Sequence, residues 1–285
     1  MKINKITPDD NEFTKTLTSV VPKPQALYYI GTLPAVRQAA VTIVGTRKPS
    51  KYGQEVTHMF AYELARRGVV IVSGLALGVD GIAHRAALEA GGITLAVQAN
   101  GLATLTPHSH RQLGIDILSK GGAIISEYAP DVPPAKYRFL ERNRLVSGLS
   151  DAVLITEAAA RSGTLSTAAR ALEQGKEVFV VPGNITSPLS AGCNQLIRQG
   201  ATPVTKVEDI LEIILPGALE QQLKMPLGDN AAQTKIIELL AHGLRDGEEL
   251  QRASALEVSV FSSELTMLEI NGVVRPLGAN QWTLR

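Results

Sequence analysis

Three clusters in this sequence have the residue types and spacing to hold an anion. Within 41–84, VTIVGTRKPSKYGQEVTHMFAYELARRGVVIVSGLALGVDGIAH, one β-branched apolar run ends in Gly45-Thr46-Arg47 and a second ends in Ser73-Gly74-Leu75-Ala76-Leu77-Gly78. Glycine lets backbone approach a ligand closely, and the free N–H groups that open a following helix attract negative charge. Arg47 adds a planar, forked cation suited to phosphate oxygens. The third cluster runs from Thr156-Glu157 to Arg161-Ser162-Gly163-Thr164, a helix start rich in capping side chains. Any one of these loops is equally well explained as a tight turn or a cap; together with Arg47 they favour an anion site. Glu157, an acid at a strand end facing that site, is expected to hydrogen-bond a base, a ribose or an arginine. Asp80 and His84 stand one helical turn apart and are expected to touch, as a buried pair that holds the glycine loop.

The stretch KYRFLERNR, residues 136–144, carries four cations and two aromatic rings against one acid, Glu141. Cations interleaved with Tyr137 and Phe139 fit single-stranded nucleic acid, where charges track phosphates and rings stack on unpaired bases. A solvated loop with one ring tucked into the core is the competing reading. Pro133-Pro134 just before it predicts an extended, surface-held approach. Other chemistries find less support. Neither glycine loop spells G-x-G-x-x-G, and no G-x-x-x-x-G-K-[ST] occurs, which disfavours a dinucleotide oxidoreductase or a P-loop ATPase. Cys193 is the single cysteine, set in SAGCNQLI without a neighbouring histidine, and reads as a small structural residue. No histidine or cysteine spacing fits a metal, His108 and His110 read as loop residues, and no cofactor is expected.

These residues must be positioned by a larger framework. From residue 41 the pattern alternates strand and helix: strands at 41–45, 69–72, 93–98, 123–126, 152–156, 178–181 and 202–204, with helices near 52–67, 79–90, 109–120, 141–149, 163–174, 192–199 and 207–214. Such alternation predicts an α/β domain, a Rossmann-like doubly wound parallel sheet with right-handed crossovers over residues 41–215. Residues 1–40 read as a lead-in strapped along the sheet edge, and 216–230 as a linker. Residues 231–285 read as three helices and a hairpin around a Gly-Ala-Asn turn, the order of a winged helix. Residues 1–228 hold 23 Lys+Arg against 19 Asp+Glu, whereas 229–285 hold 5 against 8. The third helix of this acidic end, SVFSSELTMLEI, has no Lys or Arg, so it is expected to dock protein or act structurally and not to enter a DNA groove. The polar start is unlike a signal peptide and no apolar run approaches a membrane span, which predicts a cytoplasmic protein.

The ordered series GTRKPSKYG, SGLALGVDGIAH, ISEYAP, KYRFLERNRLVSGLS, EAAARSGTLSTAARAL, VPGN and GCNQLIRQGA resembles the DNA-processing protein A (DprA, or Smf) family over roughly residues 20–215. The resemblance implies an extended Rossmann fold that binds and protects single-stranded DNA without catalysis, dimerises, and loads the RecA recombinase during natural transformation. It implies that Gly45, Thr46, Arg47, Lys136, Phe139, Arg142, Asn143 and Arg144 line the DNA pocket. Ser73, Gly74, Ala76 and Gly78 would meet phosphates beside Ser162, Gly163 and Thr164, with Asp80, His84 and Glu157 in support. Gln195, Ile197, Arg198 and Val204 would lie at the dimer interface. The sequence departs from the family at Thr46, usually serine, and at Thr106-Pro107 and His110, usually Tyr-Pro followed by Asn. It also starts almost at the Rossmann-like domain, where many members carry a helical domain first. The alternative is a nucleotide-binding or nucleotide-hydrolysing enzyme of the lysine-decarboxylase-like group, whose Pro-Gly-Gly-x-Gly-Thr motif this chain meets only in Pro182-Gly183.

Overall fold

The computed structural model describes residues 2–216 and 230–284 and divides into two compact units, 1–215 and 216–285. Most of the segment read as a linker, 217–229, lies outside the described residues.

In the first unit the alternating apolar runs become strands β3 (Ala40–Val44), β4 (Val70–Ser73), β5 (Thr94–Val97), β6 (Ala123–Ser126), β7 (Ala152–Ile155), β8 (Glu177–Val180) and β9 (Thr202–Pro203). All of these neighbours pair in parallel. The edge beyond β6 is antiparallel, formed by β2 (Leu27–Gly31) and then β1 (Asn4–Ile6), giving the order β1-β2-β6-β5-β4-β3-β7-β8-β9. Between them run helices α1 (Lys51–Arg66), α2 (Val79–Glu89), α3 (Arg111–Ser119), α4 (Lys136–Gly148), α5 (Thr164–Glu173), α6 (Ala191–Arg198) and α7 (Glu208–Ile214).

Strand side chains alternate between two cores, as a sheet covered on both faces requires. Leu95, Val97 and Ile125 join Leu145 and Val146 of α4 and Ala168 of α5, whereas Ala96 and Ile124 join Leu88 of α2 and Ile117 of α3. The first 40 residues do more than line an edge. Phe13 and Leu17 are fully buried within the larger core, where a Cβ added to Gly148 of α4 would meet Leu17 and Val20. Burying each such side chain contributes about 1.5–3 kcal/mol, so this segment helps anchor the deep end of α4.

The order reverses at β3. Strands β4, β5 and β6 spread to one side of it and β7, β8 and β9 to the other, so the crevice at the carboxyl ends of β3 and β7 is the topological switch point where ligands of such sheets bind.

The second unit contains α8 (Ala231–Ala241), α9 (Gly247–Ser254), α10 (Val258–Ile270) and a hairpin of β10 (Val274–Gly278) and β11 (Gln281–Leu284). Ile236, Leu240, Leu250, Phe261, Leu265 and Val274 form its core. Ala279 and Asn280 both adopt positive φ at the hairpin turn, as a tight two-residue connection demands. This is the winged-helix arrangement expected from the sequence. Among the described residues, no helix is long and apolar enough to cross a membrane.

His84 does not pair with Asp80. Its Nδ1–H donates to the Thr94 hydroxyl at 2.7 Å, which in turn donates to the Ile71 carbonyl, and its Nε2 is buried without a partner. Burial, together with the nearby His110, Arg85 and Arg142, depresses its pKa to about 3. The folded state therefore favours neutral imidazole, and its stability falls as pH drops through the unfolded-state value near 6.5 towards 3. Urea unfolding should show roughly 2 kcal/mol less stability at about pH 5 than at about pH 7 from this group, and His84→Gln should flatten that slope.

Candidate nucleic-acid interface

The helix that carries KYRFLERNR begins at Lys136, directly after the two prolines, with Ala135 extended as its N-cap. The approach through the prolines is extended, as expected, but the helix begins five residues earlier than the 141 expected from the sequence and takes in all of KYRFLERNR: prolines hold the residue before them out of the α region but leave the chain after them free to wind. Helical geometry then sorts the side chains. Lys136, Phe139, Leu140, Asn143 and Val146 fall at i, i+3, i+4, i+7 and i+10 and share one face, joined by Arg142 at its margin.

That face forms one wall of a cleft of about 600 Å³ at the switch point. Gly45, Thr46 and Arg47 after β3, Gly74 and Ala76 after β4, and Arg161, Ser162, Gly163 and Thr164 at the start of α5 complete the lining. Its charged side chains are four cations, Arg47, Lys136, Arg142 and Arg161, against one acid, Asp80. The Arg47 guanidinium lies 5.6 Å from the centre of the Phe139 ring, which joins a cation and an aromatic surface in one wall.

The loops are held by bonds that leave little freedom. Thr46 N–H donates to the Glu157 carbonyl at 2.8 Å, Val79 N–H to the Thr46 carbonyl at 3.2 Å, and the Thr164 hydroxyl to the Gly45 carbonyl at 2.9 Å. Gly78 has φ of 77°, and a Cβ there would collide with the Thr46 carbonyl, so only glycine lets the two loops approach so closely. Ser73 and Gly78 support the cleft from below instead of lining it. The Ser73 hydroxyl is buried and donates to the Ile43 carbonyl at 2.7 Å.

Arg142 and Asp80 lie at the cleft floor. Asp80 accepts from the N–H groups of Gly74 at 3.0 Å and Ala76 at 3.3 Å, so it does hold the glycine loop, though without His84. Arg142 is only 5% exposed, donates through Nη1 to the Val97 carbonyl, and has a buried Nε without a partner. A Cβ on Gly74 would occupy the space of this guanidinium. Burial pushes the Asp80 carboxyl above its ordinary range and the Arg142 guanidinium below its own, and each pulls the other back towards its charged form.

Other expected residues lie elsewhere. Arg144 is on the opposite side of α4, buried and paired with Glu127, because five residues separate it from Phe139 and place it off the cleft face. Glu157 pairs with no arginine among the described residues; its carboxylate accepts from the Ser50 N–H at 2.8 Å and the Ser50 hydroxyl at 2.6 Å at the start of α1. His110 is buried, with Nδ1 3.0 Å from the Leu75 carbonyl. Cys193 is a buried core residue with its thiol pushed up to about 12 by burial. Val204 is fully buried and offers no side-chain surface in this chain, whereas Gln195 and Arg198 are exposed and Ile197 half-buried. Arg161, named at the head of the third cluster, lines the cleft, and so does Thr167, which was not singled out. Thr167 follows Thr164 by three residues on α5, a helical spacing that could have revealed it.

A family model for DNA recombination-mediator protein A matches residues 4–215, and one for the DprA winged helix domain matches residues 223–280. Protein Smf of Escherichia coli strain K12 is 47% identical over 226 residues, 77% of this chain, and that match spans 60% of the relative's own length. DNA processing protein DprA of Bacillus subtilis strain 168 is 40% identical over 211 residues, 74% of this chain and 71% of that one. Among solved structures, DprA from Streptococcus pneumoniae superposes with a TM-score of 0.69 at 38% identity, covering 75% of each chain. DNA processing protein A from Helicobacter pylori, described as having a unique single-stranded DNA binding mode, gives a TM-score of 0.65 at 33% identity over 75% of this chain and 96% of that one.

The division of α4 into two faces predicts different consequences for its cations. Arg144→Ala leaves the half-buried Glu127 unpaired and should lower unfolding free energy by about 3 kcal/mol. Lys136→Ala, on the exposed face, should change it by less than about 0.5 kcal/mol in the same denaturant titration.

Proposed function

The chain belongs to the DNA recombination-mediator protein A family, and from that premise we propose that it binds single-stranded DNA in the cleft at the head of β3, β7 and α4, acting by binding and not by catalysis. The observation that carries the reading is Arg142, a buried guanidinium with an unused donor at the floor of a cleft walled by Arg47, Lys136 and the Phe139 ring. Asp80 and the Val97 carbonyl compensate this cation within the fold, and the positive charge it keeps at the cleft floor, added to Arg47, Lys136 and Arg161, favours a ligand of opposite sign. Phosphate oxygens would meet the cations that line the cleft, while an unpaired base would lie against Phe139. A duplex keeps its bases stacked inside and cannot present one to that ring. The single-stranded binding described for the Helicobacter pylori relative supports the same choice of ligand.

The family's name supports a role in recombination. We therefore assign the bound strand to delivery onto a RecA-type recombinase in the cytoplasm, during uptake of DNA by natural transformation. A homodimer seated on the outer side of α6, at Gln195, Ile197 and Arg198, agrees with the exposure of that helix. The acidic winged-helix unit, whose α10 carries no Lys or Arg, fits a protein partner better than a second DNA.

Equilibrium binding of labelled single-stranded and duplex oligonucleotides across a salt series tests the reading. Single strands should bind much more tightly than duplex. Arg47→Ala and Lys136→Ala should each flatten the slope of log K against log salt by about 0.7, and Phe139→Ala should cost about 1–3 kcal/mol without changing the slope. Equal duplex affinity, untouched by all three variants, would contradict it.

A further inference from the structure

Behind one wall of the cleft lies a second recess of about 490 Å³, lined by Ser50, Tyr52, Glu157, Asn184, Ser187 and Ser190. The two share that wall: Thr46, which lines the cleft, donates its N–H to the carbonyl of Glu157, whose carboxylate lines the recess.

The polar groups of the recess are only partly used. Glu157 is 2% exposed, and each of its oxygens accepts one bond from Ser50, which leaves each with a free lone pair. Among the described residues it has no cation partner. The Asn184 carbonyl accepts from the N–H and hydroxyl of Thr186 at 3.0 and 2.9 Å, so its orientation is set and its NH₂ group is left over. The hydroxyls of Ser187 and Ser190 also lack a partner among the described residues, although Ser190 is only 5% exposed. Tyr52 adds a ring that is 45% exposed and tethered by its hydroxyl to the Pro182 carbonyl at 2.8 Å.

Two adjacent acceptors, an amide donor and a flat ring are the complement of one nucleobase edge. Guanine alone carries two neighbouring N–H donors, at N1 and N2, for a carboxylate, with the O6 acceptor beside them for an amide N–H. Thymine offers one donor between two carbonyls, and adenine and cytosine place a ring acceptor next to their amine, so each would set an acceptor against a carboxylate oxygen. We propose that this recess reads an unpaired guanine of the strand whose backbone lies in the neighbouring cleft. The inference rests on the single-stranded DNA reading above and adds a base preference to it.

The test compares oligothymidylates carrying one guanine at successive positions with the all-thymine strand and with the matching inosine strands, by fluorescence anisotropy. Guanine at the best position should tighten binding at least about fivefold over thymine, and inosine, which lacks the 2-amino group, should fall between them. Asn184→Asp keeps the acceptor that holds Thr186 but removes the donor facing O6, and should abolish the guanine-to-thymine ratio. Glu157→Gln should do the same, with a thermal melt confirming its fold, since Glu157 also caps α1. Arg47→Ala should weaken all strands alike and leave the ratio intact. A ratio of one in the natural protein, with Arg47-dependent binding preserved, overturns the recess and spares the cleft. Absence of binding to every strand overturns the cleft itself. Guanosine monophosphate bound through Glu157 while the strands remain indifferent would replace the strand with a free nucleotide.

Discussion

The buried guanidinium of Arg142 imposes the tightest constraint on this fold. It occupies the space above Gly74 where any side chain would stand, donates to the Val97 carbonyl and faces the Asp80 carboxylate, which itself holds the N–H groups of Gly74 and Ala76. Removing that cation would leave Asp80, buried beneath a loop whose conformation it fixes, without its balancing charge. The same charge gives the cleft its sign. Stability and anion affinity are thus drawn from one interaction, which also fixes the loop after β4.

Helix α4 connects that interaction to the surface. Its early turns are partly exposed and present Lys136 and the half-buried Phe139; its later turns are buried through Leu145 and Val146 against the residues of 13–20. The cationic face is therefore carried by a rod whose far end is fixed in the core, which suits a site that must meet a flexible polymer without itself rearranging. Lys176 secures the end of the rod, donating from a half-buried ammonium to the carbonyls of Ser147, Gly148 and Ser150 at and just beyond its last turn. Burial lowers its pKa to about 8.

Much of this was legible in the sequence because it follows from local rules. Buried parallel strands announce themselves as short β-branched runs, and glycine loops at their carboxyl ends mark the crevice. What could not be read was which way each polar side chain turns. KYRFLERNR looks like a single basic patch until helical geometry places Arg144 against Glu127 and Lys136 in the cleft. Asp80 and His84 are one turn apart, yet Thr94, ten residues beyond His84, supplies the better partner inside the core. Glu157 is opposite Ser50 only because β3 and β7 are neighbours, a pairing between residues 107 apart. Long-range topology decided each of these, and no local pattern encodes it.

The central claim is that an unpaired base lies against Phe139 while its phosphates meet Arg47, Lys136 and Arg142. Photocrosslinking a single-stranded oligonucleotide that carries 5-iodouracil, followed by peptide mapping, tests this most directly, because the reactive base couples to the ring it touches. The account predicts crosslinks concentrated on the α4 peptide at Phe139 and suppressed by competing single strands but not by duplex. Crosslinks concentrated on the winged-helix unit, at Phe261 or Trp282, with none on α4, would contradict it.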